Sequence, residues 1–244
     1  MATVLTNAGL YVGGYELSSY FNTLEITGEA DVLDVTSFGA STRQYLTGFK
    51  GVRFGGAGWY DPANSDKPLF DAWGATDNIV SIAQSNATGG LCWFVRGCLP
   101  TYQMGASLGQ AATIQLSGQT STPPFVRGNI LHRATGVTSS SSSTAQQLGA
   151  VASTERIFAA AHVFSISGTS TPTITFKVQS DNASNFPSAT DRLTFTGMTA
   201  IGAQWQSAGP SAITDDYWRV NWTITGSSPV FGFAVMFGIL DDIP

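Results

Sequence analysis

The chain has 244 residues, 43% of them hydrophobic and 11% aromatic, with a net charge of −5, enough for one large β domain or two small sandwiches with real cores. Charged residues make up only 11%, under half the ~25% of ordinary soluble domains, so the surface is weakly solvated and suited to burial against copies of the same chain. No stretch is rich in Lys or Arg, which argues against tight phosphate binding, and no apolar run reaches the roughly 18 residues a membrane-spanning helix needs.

Read from the N-terminus, MATVLTNAGLYVGG has neither the basic start nor the apolar core of a secretion signal, so the chain is expected to be made and kept in a cytoplasm. Strands are expected around Leu24–Ile26 and Val52–Phe54. The segment between them, Gly28 to Gly51, far exceeds the ~2–5 residues of a hairpin connection and concentrates Glu29, Asp31, Asp34, Arg43 and Lys50. It also carries Val32, Leu33, Val35, Phe38, Tyr45, Leu46 and Phe49, a mixture that fits docking on a partner; the alternative is an extra β-hairpin inside the domain. A short helix is expected from Lys67 to Trp73, with Asp66 as its cap, Pro68 early and Gly74 at its end. Cys92 and Cys98 would lie ~20 Å apart on one strand and read as reduced thiols.

Ser121-Thr122-Pro123-Pro124 interrupts strand propensity and sets the expected boundary between a first β-sandwich domain, 1–124, and a second sandwich-like region, 125–244. The five consecutive serines within Gly136 to Gln147 read as a loop tip, because serine runs bury too little apolar surface to order themselves. Further on the period is two. Ile174, Phe176 and Val178 alternate with polar residues, as do Trp218, Val220, Trp222 and Ile224, so both segments read as half-buried strands. Ser180 to Asp191 reads as a loop stiffened by Pro187. The last run puts Phe231, Phe233, Val235, Phe237 and Ile239 on one face and Val230, Gly232, Ala234, Met236 and Gly238 on the other. Such a strand is central to a sandwich or pressed against a neighbouring subunit. The whole pattern is all-β.

Catalytic chemistry finds little support. Gly105-Ala106-Ser107-Leu108-Gly109 matches a nucleophile pattern that requires a strand-to-helix elbow, yet the next residues, Ala111 to Leu116, read as strand, and Ser107 as a turn residue. His132 reads as a surface strand residue; His162, on the face of Phe158, Ala160, Phe164 and Ile166, reads as a core histidine with a local hydrogen bond. Asp215-Asp216 and Asp241-Asp242 are sequence neighbours that point to opposite faces of a strand, so neither pair forms a shared acid–base site. No cofactor or metal is implied, and no enzyme.

The segment ADVLDVTSFGASTRQYLTGFKGVRFGGAGWYDP, followed by PLFDAWG, resembles the tail tube proteins of siphophages, over roughly residues 1–120. FKVQSDNASNFPSATDRLTFTG and DDYWRVNWTITG more weakly resemble the C-terminal part of phage tail proteins. The resemblance implies a β-sandwich with one flanking helix, polymerising into stacked rings around a lumen through which DNA passes without specific binding. It implies other tail proteins as partners, a place in the virion tail, and an inter-ring contact loop carrying Asp31, Asp34, Phe38, Arg43, Tyr45 and Phe49. The ring could hold six single chains, with residues from Phe125 onward beside the tube, or three duplicated ones. Another virion role is the alternative: capsid decoration, a fibre, or a carbohydrate-binding module using Tyr217, Trp218 and Trp222, although the parity of Trp218 and Trp222 favours core packing.

Overall fold

A computed structural model describes residues 5–39 and 41–241. Its strands are β1 (Gly9–Val12), β2 (Tyr15–Glu16), β3 (Phe21–Asp34), β4 (Tyr45–Trp59), β5 (Asn78–Ala83), β6 (Leu91–Gly105), β7 (Thr113–Val137), β8 (Ser141–Ser142), β9 (Gln146–Gln147), β10 (Glu155–Asp181), β11 (Thr190–Thr194), β12 (Gly202–Ala208) and β13 (Tyr217–Asp241). A π-helical turn, Pro62–Asp66, leads into one short α-helix, α1 (Lys67–Ala72). The fold is all-β, as the alternation of apolar and polar residues predicts.

The chain forms two compact units. The larger contains residues up to Ser19, Asn78–Arg96 and everything from Pro124; the smaller contains Tyr20–Asp77 and Gly97–Pro123. The break expected near Pro124 coincides with one of the points where the chain leaves one unit for the other. Residues before Tyr20 and from Asn78 to Arg96 join the C-terminal half instead, because Tyr11, Ile79, Ala83, Cys92 and Phe94 fill one of its cores. The strand also persists where a break was expected. β7 runs through Pro123-Pro124, which fall between its ladder with β4 (Thr113–Gln119) and its ladder with β13 (Asn129–Val137).

The larger unit is organised by the ladder of β10 and β13. Glu155–Ser167 pairs with Val230–Asp241, and Thr173–Asp181 pairs with Tyr217–Thr225. Between these halves Gly168, Ser170, Thr171, Gly226 and Ser228 all take positive φ. The bend they create brings the two halves face to face, with Phe176 against Phe233 at 4.8 Å and Trp218 stacked on Phe237 at 4.5 Å between ring centroids. Trp218 and Trp222 are therefore core residues and not a sugar-stacking surface. The final run of β13 is buried on both faces: Phe231, Phe233, Val235 and Phe237 enter one core, Ala234 and Met236 the other. Each large apolar side chain fully buried in this way contributes about 1.5–3 kcal/mol.

Two sequence expectations change here. The serine run is ordered, because it hydrogen-bonds along the edge of β13: Ser141–Ser142 pairs with Trp222–Asn221, and Ser143 Oγ accepts from the Val220 N–H at 3.1 Å. The Ser139 carbonyl also accepts the Trp222 indole N–H at 2.9 Å, a bond that a mobile loop would leave unmade. His132 is half-buried and not on the surface. Its ring stacks on Trp222 at 4.9 Å and 10°, and burial lowers its pKa.

His162 is fully buried and satisfied at both nitrogens. Because a carbonyl can only accept, Nδ1 donates to the Gly13 carbonyl at 2.7 Å, which leaves Nε2 to accept the Ser81 hydroxyl at 2.8 Å. Burial holds its pKa down at about 4, against 6.5 for an exposed imidazole, with the Gly13 bond acting in the opposite direction. Between those two values only the unfolded chain takes up the proton. This contribution to stability is thus intact above pH 6.5 and is lost as the pH falls from 6.5 to 4. The full loss is about 3 kcal/mol. Urea unfolding at pH 7.5 and 4.5 should show His162→Gln, destabilised at the higher pH, losing distinctly less on acidification than the wild type; equal losses would refute the assignment.

Candidate assembly surface

The smaller unit has a compact root. β4 lies between β3 and the first part of β7, and Val52, Phe54, Leu99, Ile114 and Leu116 are buried there with Leu69 of α1. Gly118 is required beside Phe54, since a Cβ there would come within 2.3 Å of the Phe54 ring. Helix α1 starts differently from the sequence expectation. Asp66 is already helical and makes no side-chain cap. Asp61 caps the preceding turn instead, accepting the Ala63 and Asn64 N–H groups at 2.9 Å. The Asp66 carboxylate accepts the Tyr102 and Tyr60 hydroxyls, and that bond pushes the Tyr102 hydroxyl up to about 12. Gly74, at φ +77, ends the helix as expected.

The long segment between Gly28 and Gly51 is mostly paired. β3 and β4 continue as a two-stranded arm from Gly28↔Val52 out to Asp34↔Tyr45, so the hairpin alternative describes most of it and the open tip is only residues 35–44. Polar bonds close the tip: Val35 N–H donates to the Gln44 carbonyl at 2.9 Å, Gln44 N–H to Thr36 Oγ1 at 2.9 Å, and Thr36 N–H to Asp34 Oδ1 at 3.0 Å. The Thr36 bonds hold the Asp34 carboxyl below its usual range.

A register shift decides which way the arm's side chains point. From Ala30 to Val32 β3 advances two residues while β4 goes from Lys50 to Thr47, so β4 carries a bulge around Gly48. Beyond it Leu33 and Leu46 share one face, whereas Val32, Asp34 and Tyr45 occupy the other. Both faces therefore expose apolar groups: Leu33 is 54% and Leu46 59% accessible, Val32 68% and Tyr45 53%, and Phe38 is fully exposed at the tip.

Among the residues expected to make contacts, Asp34 and Tyr45 are paired across the ladder, and Arg43 Nη1 reaches the Tyr45 hydroxyl at 3.4 Å. Asp31 lies against the bulge at Gly48. Phe38 stands apart from these at the tip, and the side chain of Phe49 lies outside the described residues. Sequence reasoning missed a second exposed apolar surface. Phe70 and Trp73 are 55% and 53% accessible, and Phe70 packs edge-on against Tyr102 at 5.5 Å. Leu69 of α1 faces the core, while Phe70 and Trp73, just past the end of the helix, stand together away from it with their rings 6.1 Å apart.

One sheet face of this unit is largely polar. The face carrying Thr23, Glu25, Thr27, Glu29, Arg53 and Gln115 borders an open groove of about 760 Å³. Arg53 lies 3.8 Å from Glu29, both well exposed, a geometry that contributes little to stability. Ser107 belongs to a tight turn closed by the Gln110 N–H at 3.0 Å, with Gly109 at φ +80, and the chain continues into β7. Asp215 accepts from Ser180 and Arg192, whereas Asp216 accepts from Gln147, so the two carboxylates serve separate contacts. Asp242 lies outside the described residues. Among the described residues no group of three or more His, Cys, Asp or Glu side chains is arranged to hold a metal, and Cys92 and Cys98 are unpaired thiols.

No family model matches the chain, and no curated protein matches it. Among solved structures, it is similar to a chain of the virion of a native gene transfer agent particle, at 17% identity and a TM-score of 0.40, over 51% of this chain and 98% of that one. A chain of the sheath–tube complex of an extracellular contractile injection system, PVC, gives 12% identity and a TM-score of 0.42 over 53% and 93%. The Dit protein of phage SPP1 gives 11% and 0.37 over 96% and 99%. Likenesses at these identities and TM-scores identify no function.

Because Leu33, Phe38 and Leu46 of the arm are more than half exposed and enter no core of their own chain, replacing them together by Ser should leave stability nearly unchanged, within ~0.5 kcal/mol per site. Thermal unfolding of dilute protein checks this; a loss of several kcal/mol would show that the arm is held by its own chain.

Proposed function

We propose that this chain is a structural protein of a phage virion tail, the subunit of stacked rings that form the tail tube, and that its β3–β4 arm contacts copies in the adjacent ring. The observation that carries the reading is the arm itself. Isolated two-stranded hairpins are marginal in water, and this one displays apolar side chains on both faces and at its tip. An exposed surface of that kind invites aggregation unless a partner covers it. A homopolymer supplies the partner at every subunit, and the low charge of the whole chain fits the same use. The sequence resemblance of residues 1–120 to siphophage tail tube proteins points the same way.

The polar sheet face supports the passage of DNA without binding. It offers Glu25 and Glu29 with a single Arg53 beside Glu29, and phosphate binding needs clustered cations that this face lacks. The carbohydrate-module alternative is weakened, because Trp218 and Trp222 are in the core. The arm and α1 both belong to the smaller unit, which favours one tube-forming unit per chain and six chains per ring over three duplicated ones.

Replacing residues 36–43 by a two-residue Asn-Gly turn should give a folded protein that no longer stacks into tubes. Negative-stain microscopy should show tubes or stacked rings of the wild type with six chains per ring, and none for the variant. Normal tubes from the variant would remove the arm from the assembly; three chains per ring would overturn the count.

A further inference from the structure

We infer that the aromatic cluster of Phe70, Trp73 and Tyr102 is the seat into which the arm tip of a second copy docks. The inference rests on the proposal that the chain polymerises, and adds where the arm lands. Among the described residues, apart from scattered exposed side chains such as Trp59, Met104 and Leu108, two groups of apolar side chains stand open: the distal arm, and this cluster of Phe70 on α1, Trp73 just after it and Tyr102 on β6. Neither is covered by its own chain, since Phe38 is fully exposed while Phe70 and Trp73 are each more than half exposed. The arm exposes Val32, Leu33, Val35, Phe38, Tyr45 and Leu46 together, apolar surface of the kind that fills the ~800 Å² each partner contributes to a stable interface. An aromatic cluster of this kind is the usual anchor of such a contact.

Charge complements shape. The tip, residues 35–44, carries one charged side chain, Arg43, which makes only a long contact to Tyr45. The approach to the seat carries Asp61, Asp66 and Asp71 against Lys67, and Lys67 is already engaged with Asp71 at 2.5 Å. Seating Phe38 on Phe70 and Trp73 brings Arg43 toward an acidic, ring-lined surface, where a guanidinium gains both from carboxylates and from ring faces. The two surfaces differ, so the contact is head-to-tail and a docked pair retains one free arm and one free seat. That arrangement propagates instead of stopping at a dimer.

A photo-crosslinking residue placed at Phe38 of the full-length chain, mixed with isotope-labelled chain, tests the assignment. Cross-links should join residue 38 to the peptides containing Phe70 to Trp73 or Tyr102 of a different chain. Phe70→Ser, with unchanged far-UV circular dichroism, should raise the concentration needed for assembly at least tenfold. Mixing Phe38→Ser with Phe70→Ser should restore one productive contact per pair and, by light scattering, pair the two variants without extending into tubes. Cross-links elsewhere from tubes that form normally, or an assembly threshold unchanged in Phe70→Ser, would overturn the seat while leaving polymerisation standing. A wild type that stays monomeric at high concentration would overturn both.

Discussion

The larger unit depends on one constraint: a strand apolar on both faces must be covered twice. Residues 231–237 of β13 carry Phe, Val and Ala or Met on alternating sides, and water is excluded from all of them. One face is covered when the β10–β13 ladder bends at Gly168–Thr171 and Gly226–Ser228, so that Phe176 and Trp218 close over Phe233 and Phe237. The other face is covered by Tyr11 of β1, Ile79 of β5 and Phe94 of β6. This second layer is why segments distant in sequence belong with the C-terminal half.

The burial of polar groups follows from the same arrangement. Closing the second layer packs His162 against Ser81 of β5 and Gly13 just after β1, where only a neutral imidazole with both nitrogens bonded is tolerated. Closing the first layer buries the indoles of Trp218 and Trp222, whose N–H groups must find acceptors. They find them in Gly149 and in Ser139. The serine run is ordered by the needs of its neighbours and not by its own composition.

That distinction explains what could be read in the residues alone. Strand type and the burial of Ile174, Phe176, Trp218 and the last run were legible because a period of two is a local signal. The order of the serine run was not, because its partners lie some eighty residues away in β13. His132 misled for the same reason, since only the fold brings Trp222 onto its ring. The helix start was displaced because Asp66 and Asp61 are both plausible caps in sequence, and the tyrosine hydroxyls that occupy Asp66 come from elsewhere in the chain. In the arm, charge and apolar content were visible, yet the bulge at Gly48 that assigns those residues to faces was not. Phe70 and Trp73 went unnoticed because a helix of six residues offers too little length for an amphipathic pattern.

The smaller unit shows the opposite logic from the larger. In the larger unit apolar residues on both faces of a strand are enclosed by the chain itself; in the arm the same two-sided pattern is left open. The bulge matters here. Without the extra residue in β4, Leu46 would exchange faces with its neighbours and would no longer lie across from Leu33, so the apolar groups of the two strands would not pair. By keeping Leu33 beside Leu46 and Tyr45 beside Asp34, the bulge builds one aliphatic face and one mixed face on the same blade. The arm's two faces thus differ in shape and chemistry, so that in the proposed assembly a partner would meet them in one orientation only.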